Sequence, residues 1–324
     1  MANRRDDEVK LILDEAESQM RCAFARDKNA ARMLGVRRAE GQLAMPHPRL
    51  YVRSELWEEL SDVERHLYLL RAYAAKHPDW VFCLHSAAAV HGLFASRRAL
   101  ETVYVASRYR RRSNVVEHRM DCSGTVEEKC GLRVTPLDET MFSCIRDLDF
   151  PEGLAIADSG LRVSGLSRAE ALDRFASGWR GFRGIGKVLS PVAFANPLSE
   201  NGGESFARAA MIEEGFQVPT LQVELPDPIS PGGVYRVDFL WRLPDGSHVA
   251  GEFDGMRKYN DPRFRGGRTA NEVLIAERER ESHLNALGLP VMRFKYADVL
   301  DRRRFVRLLE EFGIPRVGKI GNGV

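Results

Sequence analysis

The stretch VYRVDFLWRLPDGSHVAGEFDG, Val234 to Gly255, decides the fold of the second half of this 324-residue chain. Side chains alternate from Val234 to Trp241: Tyr235, Val237, Phe239 and Trp241 share one face, and Val234, Arg236, Asp238 and Leu240 the other. Pro244, Asp245 and Gly246 are a strong turn signal. His248 to Asp254 alternates again, with Val249 and Phe253 on one face and Glu252 and Asp254 on the other. A three-residue loop with Gly246 left-handed sets Leu243 opposite Ser247, and counting back sets Asp238 opposite Glu252. Opposed residues of an antiparallel pair hold their Cβ atoms about 4.5–5.5 Å apart, where like charges repel. Asp is moreover a poor strand residue. Two explanations fit. A hard divalent cation sits between the carboxylates, since Mg²⁺ takes oxygen ligands, or the polar face lies in water, where the repulsion is weak.

Working outward, Glu204 to Glu214 is predicted as a helix closed by Gly215, with Glu204 in its first turn, where the helix dipole favours a carboxylate. Downstream, Gly255 to Gly267 reads as a loop carrying Arg257, Lys258, Arg263, Arg265 and Arg268. Thr269 and Glu272 form a capping box that opens a helix running to Leu287, closed by Gly288. Pro290 to Phe294 is a short apolar strand containing Arg293, and Arg303 to Phe312 a last helix. Strand, helix, strand implies a crossover and a parallel pairing beside the hairpin. Arg280 and His283 on the crossover helix are placed either near a bound phosphate or in solvent, and Asp227 and Asp261 read as turn residues.

In the first half, Val9 to Met20 reads as a helix, Asn29 to Leu34 as a second stopped at Gly35, and Val36 to Met45 as a third ended by Pro46. Arg49 to Arg53 follows as a strand, the outline of a winged helix-turn-helix. Ala30, Ala31 and Leu34 face inward, leaving Arg37, Arg38 and Gln42 outward on the element that enters a major groove in such motifs. Gly41 departs from the pattern, and a plain helical hairpin explains the same residues. The middle region alternates helices (Val63–Ala75, Ser86–His91, Arg168–Phe175) with strands (Val81–Leu84, Thr102–Ala106, Val115–Arg119), and Gly178 to Pro197 reads as a linker. The expected division is 1–60 winged helix, 61–190 α+β middle region with linker, and 191–324 a mixed sheet flanked by helices.

Composition narrows the class. The 44% hydrophobic share furnishes real cores, no apolar run approaches a membrane span, and the first residues lack a signal-peptide core, so a cytoplasmic protein is expected. The net charge of +2 announces no nucleic-acid binding by itself; the clusters Arg108/Arg110/Arg111/Arg112 and Arg302/Arg303/Arg304 read first as solvated faces, with phosphate contacts the alternative. Cys22, Cys83, Cys122, Cys130 and Cys144 lack zinc spacing and read as reduced thiols, and His85 and His91, six apart, read as structural.

From roughly Ala193 to Gly313, the ordered series of Glu204 in a helix, VDFLW with Asp238, GEFDG with Glu252 and Asp254, the helix ERERESHLNALG and the strand VMRF resembles the very-short-patch-repair-like branch of the PD-(D/E)XK nuclease superfamily. The segments PRLYVRSELW, HSAAAVHGL and LRVTPLDETMFSCIRDL are similar to abortive-infection antitoxin-like winged-helix regions that precede this domain in actinobacterial proteins. The resemblance implies a restriction-endonuclease-like fold and metal-dependent phosphodiester hydrolysis. Asp238 and Glu252 match the two acidic positions that hold Mg²⁺ (or Mn²⁺), which polarises the phosphate and lowers the pKa of an attacking water. Glu204 matches the helix carboxylate that assists through a water. The third motif position usually carries Lys and here is Asp254; either Lys258 reaches back or Asp254 extends the metal site. The implied function is a DNA endonuclease guided by the N-terminal DNA-binding module. The alternative is a non-catalytic DNA-binding transcriptional regulator of antitoxin type, with a partner toxin.

Overall fold

The computed structural model describes residues 2–108, 111–113, 115–119, 124–229, 232–254, 272, 275, 282–284 and 286–318. Packing divides this mixed α/β chain once, into units Met1–Asp147 and Leu148–Val324. Among the described residues no helix is long and apolar enough to cross a membrane.

In the first unit, α1 (Ala2–Ser18) is followed by α2 (Lys28–Ala39), whose first turn is capped by the Asp27 carboxylate accepting from the Ala30 amide at 2.8 Å. The expected turn at Gly35 is absent: α2 runs straight through it, and the helix stop is Gly41, left-handed at φ 78°. Glycine inside a helix costs about 1 kcal/mol. Burying Leu34 against Val9, Leu13 and Ala16 of α1, with Ala30 also buried, outweighs that. The predicted third helix is absent as such: Val36 to Ala39 are the end of α2, and Leu43 to Met45 open the hairpin β1 (Leu43–His47) and β2 (Leu50–Arg53). Ala23 bridges Tyr51 on the same hairpin.

Helices α3 (Ser54–Glu59) and α4 (Asp62–Lys76) follow, the latter opened by a Ser61/Glu64 capping box, then α5 (Leu84–His91), closed by left-handed Gly92. Strands β3 (Val103–Ala106), β4 (Arg111–Arg112) and β5 (Val116–Arg119) are ordered β3-β5-β4, with β3 and β5 parallel. The expected strand at 81–84 is reduced to Phe82, which bridges Val105 and Val134. The hairpin β6 (Glu127–Lys129) and β7 (Leu132–Val134) leads to α6 (Leu137–Asp147). Leu70, Phe82, Val103 and Leu132 centre the core. Inside it, His66 Nδ1 donates to the Leu100 carbonyl (2.8 Å), so its Nε2 accepts from Ser86 Oγ (3.0 Å), which itself accepts from the Tyr104 amide (2.9 Å). Burial pushes the His66 imidazole down to about 4, keeping it neutral. Cys22, Cys83 and Cys144 are buried free thiols and Cys130 an exposed one.

The second unit begins with α7 (Phe150–Ser164), α8 (Arg168–Gly178) and α9 (Ile185–Phe194). The predicted linker is therefore mostly helix, with Pro191 inside it; burial of Val188, Pro191 and Val192 offsets the missing backbone hydrogen bond. α8 packs on α9 and α9 on α7, and α7 packs on α10 (Gly202–Glu213), where Leu154 meets Ala209 and Ile212. The Asp158 carboxylate accepts from Arg208 Nη1 and Ser205 Oγ, at 2.8 and 2.7 Å, with both charged side chains almost fully buried. The sheet that follows contains β8 (Thr220–Pro226), β9 (Val234–Arg242), β10 (His248–Asp254) and β11 (Val291–Lys295), in the order β11-β10-β9-β8. β10 and β11 are parallel and the other pairs antiparallel, as the strand–helix–strand pattern implied. Most of the predicted crossover helix lies outside the described residues; 282–284 and 286 are helical, and Gly288 is left-handed at φ 69°. α11 (Tyr296–Leu300) and α12 (Arg302–Glu311) close the unit, α12 inserting Phe305 and Leu309 beside Phe239, Trp241 and Phe294.

Candidate metal centre at a strand fork

The hairpin turns as its residues require. Gly246 is left-handed at φ 87°, and the Leu243 amide donates to the Ser247 carbonyl at 2.8 Å. The ladder then runs from His248↔Arg242 to Gly251↔Phe239 and ends one pair short of Asp238 and Glu252. In place of the next backbone bond, the Phe253 amide donates to the Asp238 carboxylate at 2.9 Å. On the other side, the β8–β9 register passes from Leu221↔Phe239 to Val223↔Val237 and skips Gln222, which is left-handed at φ 52°. Simple alternation fails here. Tyr235, Val237 and Leu240 join one apolar cluster with Leu284 and Leu289, whereas Phe239 and Trp241 join the other, with α10 and α12. Asp238 thus sits where β9 leaves β10, a fork in the middle of the sheet.

The first turn of α10 is pressed into this fork. A Cβ on Gly203 would lie 2.2 Å from the Phe253 ring, so only glycine lets the helix come this close. Asn201 caps α10, its Oδ1 accepting from the Glu204 amide at 3.1 Å. The Glu204 carboxylate accepts from the Glu200 amide (2.8 Å), Asn201 Nδ2 (2.5 Å) and Gln222 Nε2 (3.4 Å). Only 3% of Glu204 is exposed, and burial pushes its carboxyl up to about 7, with the Asp238 and Glu200 charges adding to the shift and the Glu200 amide opposing it. The amide oxygen of Gln222 is buried and has no hydrogen-bond partner among the described residues.

Asp254, expected as a third metal ligand, is held otherwise. Arg293 Nε and Nη2 donate to its two oxygens at 3.1 and 2.5 Å, a bidentate ion pair across the parallel β10–β11 register. Glu252, 8% exposed, pairs by register with Arg293. Lys258, like Arg257, Asp261 and Arg280, lies outside the described residues. His283 contacts Tyr235 Oη at 2.7 Å and Asp227 at 3.3 Å, and Asp227 makes its expected turn by accepting from the Ile229 amide. Among the described residues no three His, Cys, Asp or Glu side chains stand together as a metal site. The oxygen donors Glu204, Asp238 and the Gln222 amide oxygen gather at the fork and are of the class Mg²⁺ and Mn²⁺ select, whereas Glu252 lies on the face of β10 that pairs with Arg293.

In the first unit, Arg37 and Arg38 occupy the last turn of α2, where cations complement the helix dipole, and Gln42 lies beyond Gly41. Arg37 donates to Gln42 Oε1 at 2.6 Å. Both border a cavity of about 470 Å³ with Lys10, Arg53 and Ser54. His85 and His91 are buried in α5, His91 Nε2 donating to the Thr135 carbonyl at 2.8 Å. The run Arg302–Arg304 is partly neutralised, Arg302 by Glu213 and Arg304 by Asp298.

Sequence reasoning missed Gln222 and the part played by Arg293. The alternation Leu221, Val223, Leu225 was the signal for β8, and a single arginine in an otherwise apolar strand was the signal at 293. No protein-family profile matches the chain. It is similar to two proteins of Mycobacterium tuberculosis, the uncharacterized proteins MT2308 and Rv2248. Identity is 26% over 243 residues, which cover 70% of this chain and 84% of each relative.

Proposed function

We propose that the second unit is a divalent-metal-dependent endodeoxyribonuclease and that the first unit supplies a DNA-binding module. The observation that carries the reading is the fork: Asp238 takes over a backbone bond of β10 while Glu204 is driven in beside it. Buried like-signed carboxylates are costly unless a cation compensates them. Asp238 and Glu252 would hold the ion, with the Gln222 oxygen as a neutral donor. A bound Mg²⁺ or Mn²⁺ supplies electrophilic activation of a phosphodiester and of a water. Glu204, titrating near neutrality, holds or releases a proton at its carboxyl, and Asn201 and the Glu200 amide fix its orientation. Arg37, Arg38 and Gln42 would contact phosphates or base edges. The second reading is a non-catalytic DNA-binding regulator of antitoxin type; Asp254 at the position where the nuclease motif usually carries Lys favours it.

The deciding experiment is metal-dependent stabilisation of the full chain. Mn²⁺ at 100 times its Kd raises stability by about 2.7 kcal/mol, and Asp238→Asn and Glu252→Gln abolish the rise. Cleavage of supercoiled and mismatched DNA follows, with Glu252→Gln as control. A chain that binds no Mn²⁺ and nicks no DNA sinks the nuclease proposal and leaves the regulator. Gel shifts with Arg37→Ala and Arg38→Ala test the first unit; unchanged affinity removes these residues from the interface.

A further inference from the structure

We propose that Asp254 is a positioning residue rather than a metal ligand, and that the arginine it holds, Arg293, is the catalytic cation that contacts the scissile phosphate. This rests on the nuclease reading above and assigns a residue within that site. In the parallel register Glu252 pairs with Arg293 and Asp254 with Lys295, so Glu252, Asp254 and Arg293 lie on one face. The opposite face of β11 presents Met292 and Phe294 to the core. Arg293 therefore stands beside one of the two expected metal ligands.

Its guanidinium is not loosely placed. Both carboxylate oxygens of Asp254 accept from it, through Nε and Nη2, which fixes the plane of the fork-shaped group as a single contact cannot. That pairing takes one lone-pair site on each Asp254 oxygen and commits the carboxylate to β11, the geometry of a clamp. Arg293 and Asp254 keep 28% and 32% of their side-chain surface exposed, so a phosphodiester entering from solvent reaches them. Phosphoryl transfer gathers negative charge on the non-bridging oxygens, and a planar, permanently charged guanidinium matches them geometrically. A purely structural surface pair would contribute little to folding, about 0–1 kcal/mol.

The experiment uses the full chain and two readouts. By Mn²⁺ titration, Asp254→Asn and Arg293→Ala are expected to keep wild-type affinity within about threefold, whereas Glu252→Gln loses it; a tenfold or greater loss for Asp254→Asn makes it a ligand and overturns the proposal. On cleavable DNA, Arg293→Ala is expected to lower kcat by about 100-fold or more with KM little changed. Arg293→Lys restores little of this loss, because an ammonium cannot reproduce the fork, and free guanidinium added to Arg293→Ala restores part of it. Cleavage by Arg293→Ala within fivefold of wild type overturns the assignment while leaving the nuclease reading intact. If wild type binds Mn²⁺ but cleaves no duplex, DNA affinity in Ca²⁺ decides: a tenfold loss in Arg293→Ala supports the contact, and no loss overturns it. A wild type that binds no Mn²⁺ brings down both proposals.

Discussion

Glu204→Gln is expected to make the second unit less sensitive to alkali. Glu204 is buried to 3% exposure and titrates near 7 instead of 4.5, chiefly because burial disfavours its charge. The folded chain keeps this proton at pH values where the unfolded chain has already released it. The associated stability is complete below pH 4.5, falls as pH rises towards about 7, and is gone above that. At about 1.4 kcal/mol per pH unit, the loss is on the order of 3 kcal/mol. Glutamine is neutral throughout, so the variant lacks this slope. Its amide can satisfy only one of the two close donors, the Glu200 amide and Asn201 Nδ2, which adds a pH-independent cost of about 1 kcal/mol. Hydrogen exchange resolved to peptides within 234–254 measures the outcome. The protection ratio of variant to wild type is expected to change by about two orders of magnitude between pH 5 and pH 8. Mn²⁺ is expected to shrink this difference, because a neighbouring cation favours the ionised carboxylate. An equal ratio at both pH values would show that Glu204 ionises in the ordinary range, and the reading of a strained fork would go with it.

Gly251→Ala would put a Cβ 2.7 Å from Trp241 Cζ3 and 3.1 Å from Phe239 Cβ, inside a core that cannot yield, so thermal unfolding should move down by the equivalent of about 1–3 kcal/mol. Arg208→Met strands the Asp158 carboxylate in the interior and is expected to cost about 3–5 kcal/mol in urea unfolding. The double variant Asp158→Asn/Arg208→Met is expected to recover part of that loss, and no recovery would refute the pairing argument. Ser86→Ala removes the donor to His66 Nε2 and the acceptor for the Tyr104 amide, an expected loss of about 1–3 kcal/mol. Because His66 stays neutral until about pH 4, the first unit should also lose stability as pH falls from 6.5 towards 4, measured by calorimetry against a His66→Gln control.

The hairpin was legible because two local signals agree on one register: strict alternation from 234 to 241 and from 248 to 254, and a turn in which Gly246 takes the left-handed conformation. Legibility ended at Asp238. Alternation presumes an unbroken ladder, and a left-handed Gln222 on the neighbouring strand interrupts it without leaving a local mark. The Asp254–Arg293 pair was out of reach for another reason: its partners lie 39 residues apart, and only the parallel register brings them together. Gly35 and Pro191 misled in the same way. Each breaks helices in isolation, yet each lies in a helix whose neighbours bury enough apolar surface to overrule it. Gly41, which had looked like a flaw in the pattern, is the residue that ends α2.

Under the proposed function, the bond from the Phe253 amide to the Asp238 side chain would give this aspartate two employments, and they make different demands. The strand needs only an oxygen that can accept; an ion needs a full negative charge. Asparagine satisfies the first and not the second. Swapping one for the other therefore separates architecture from chemistry at a single position, and a domain that had abandoned its reaction could carry the amide with its sheet undisturbed.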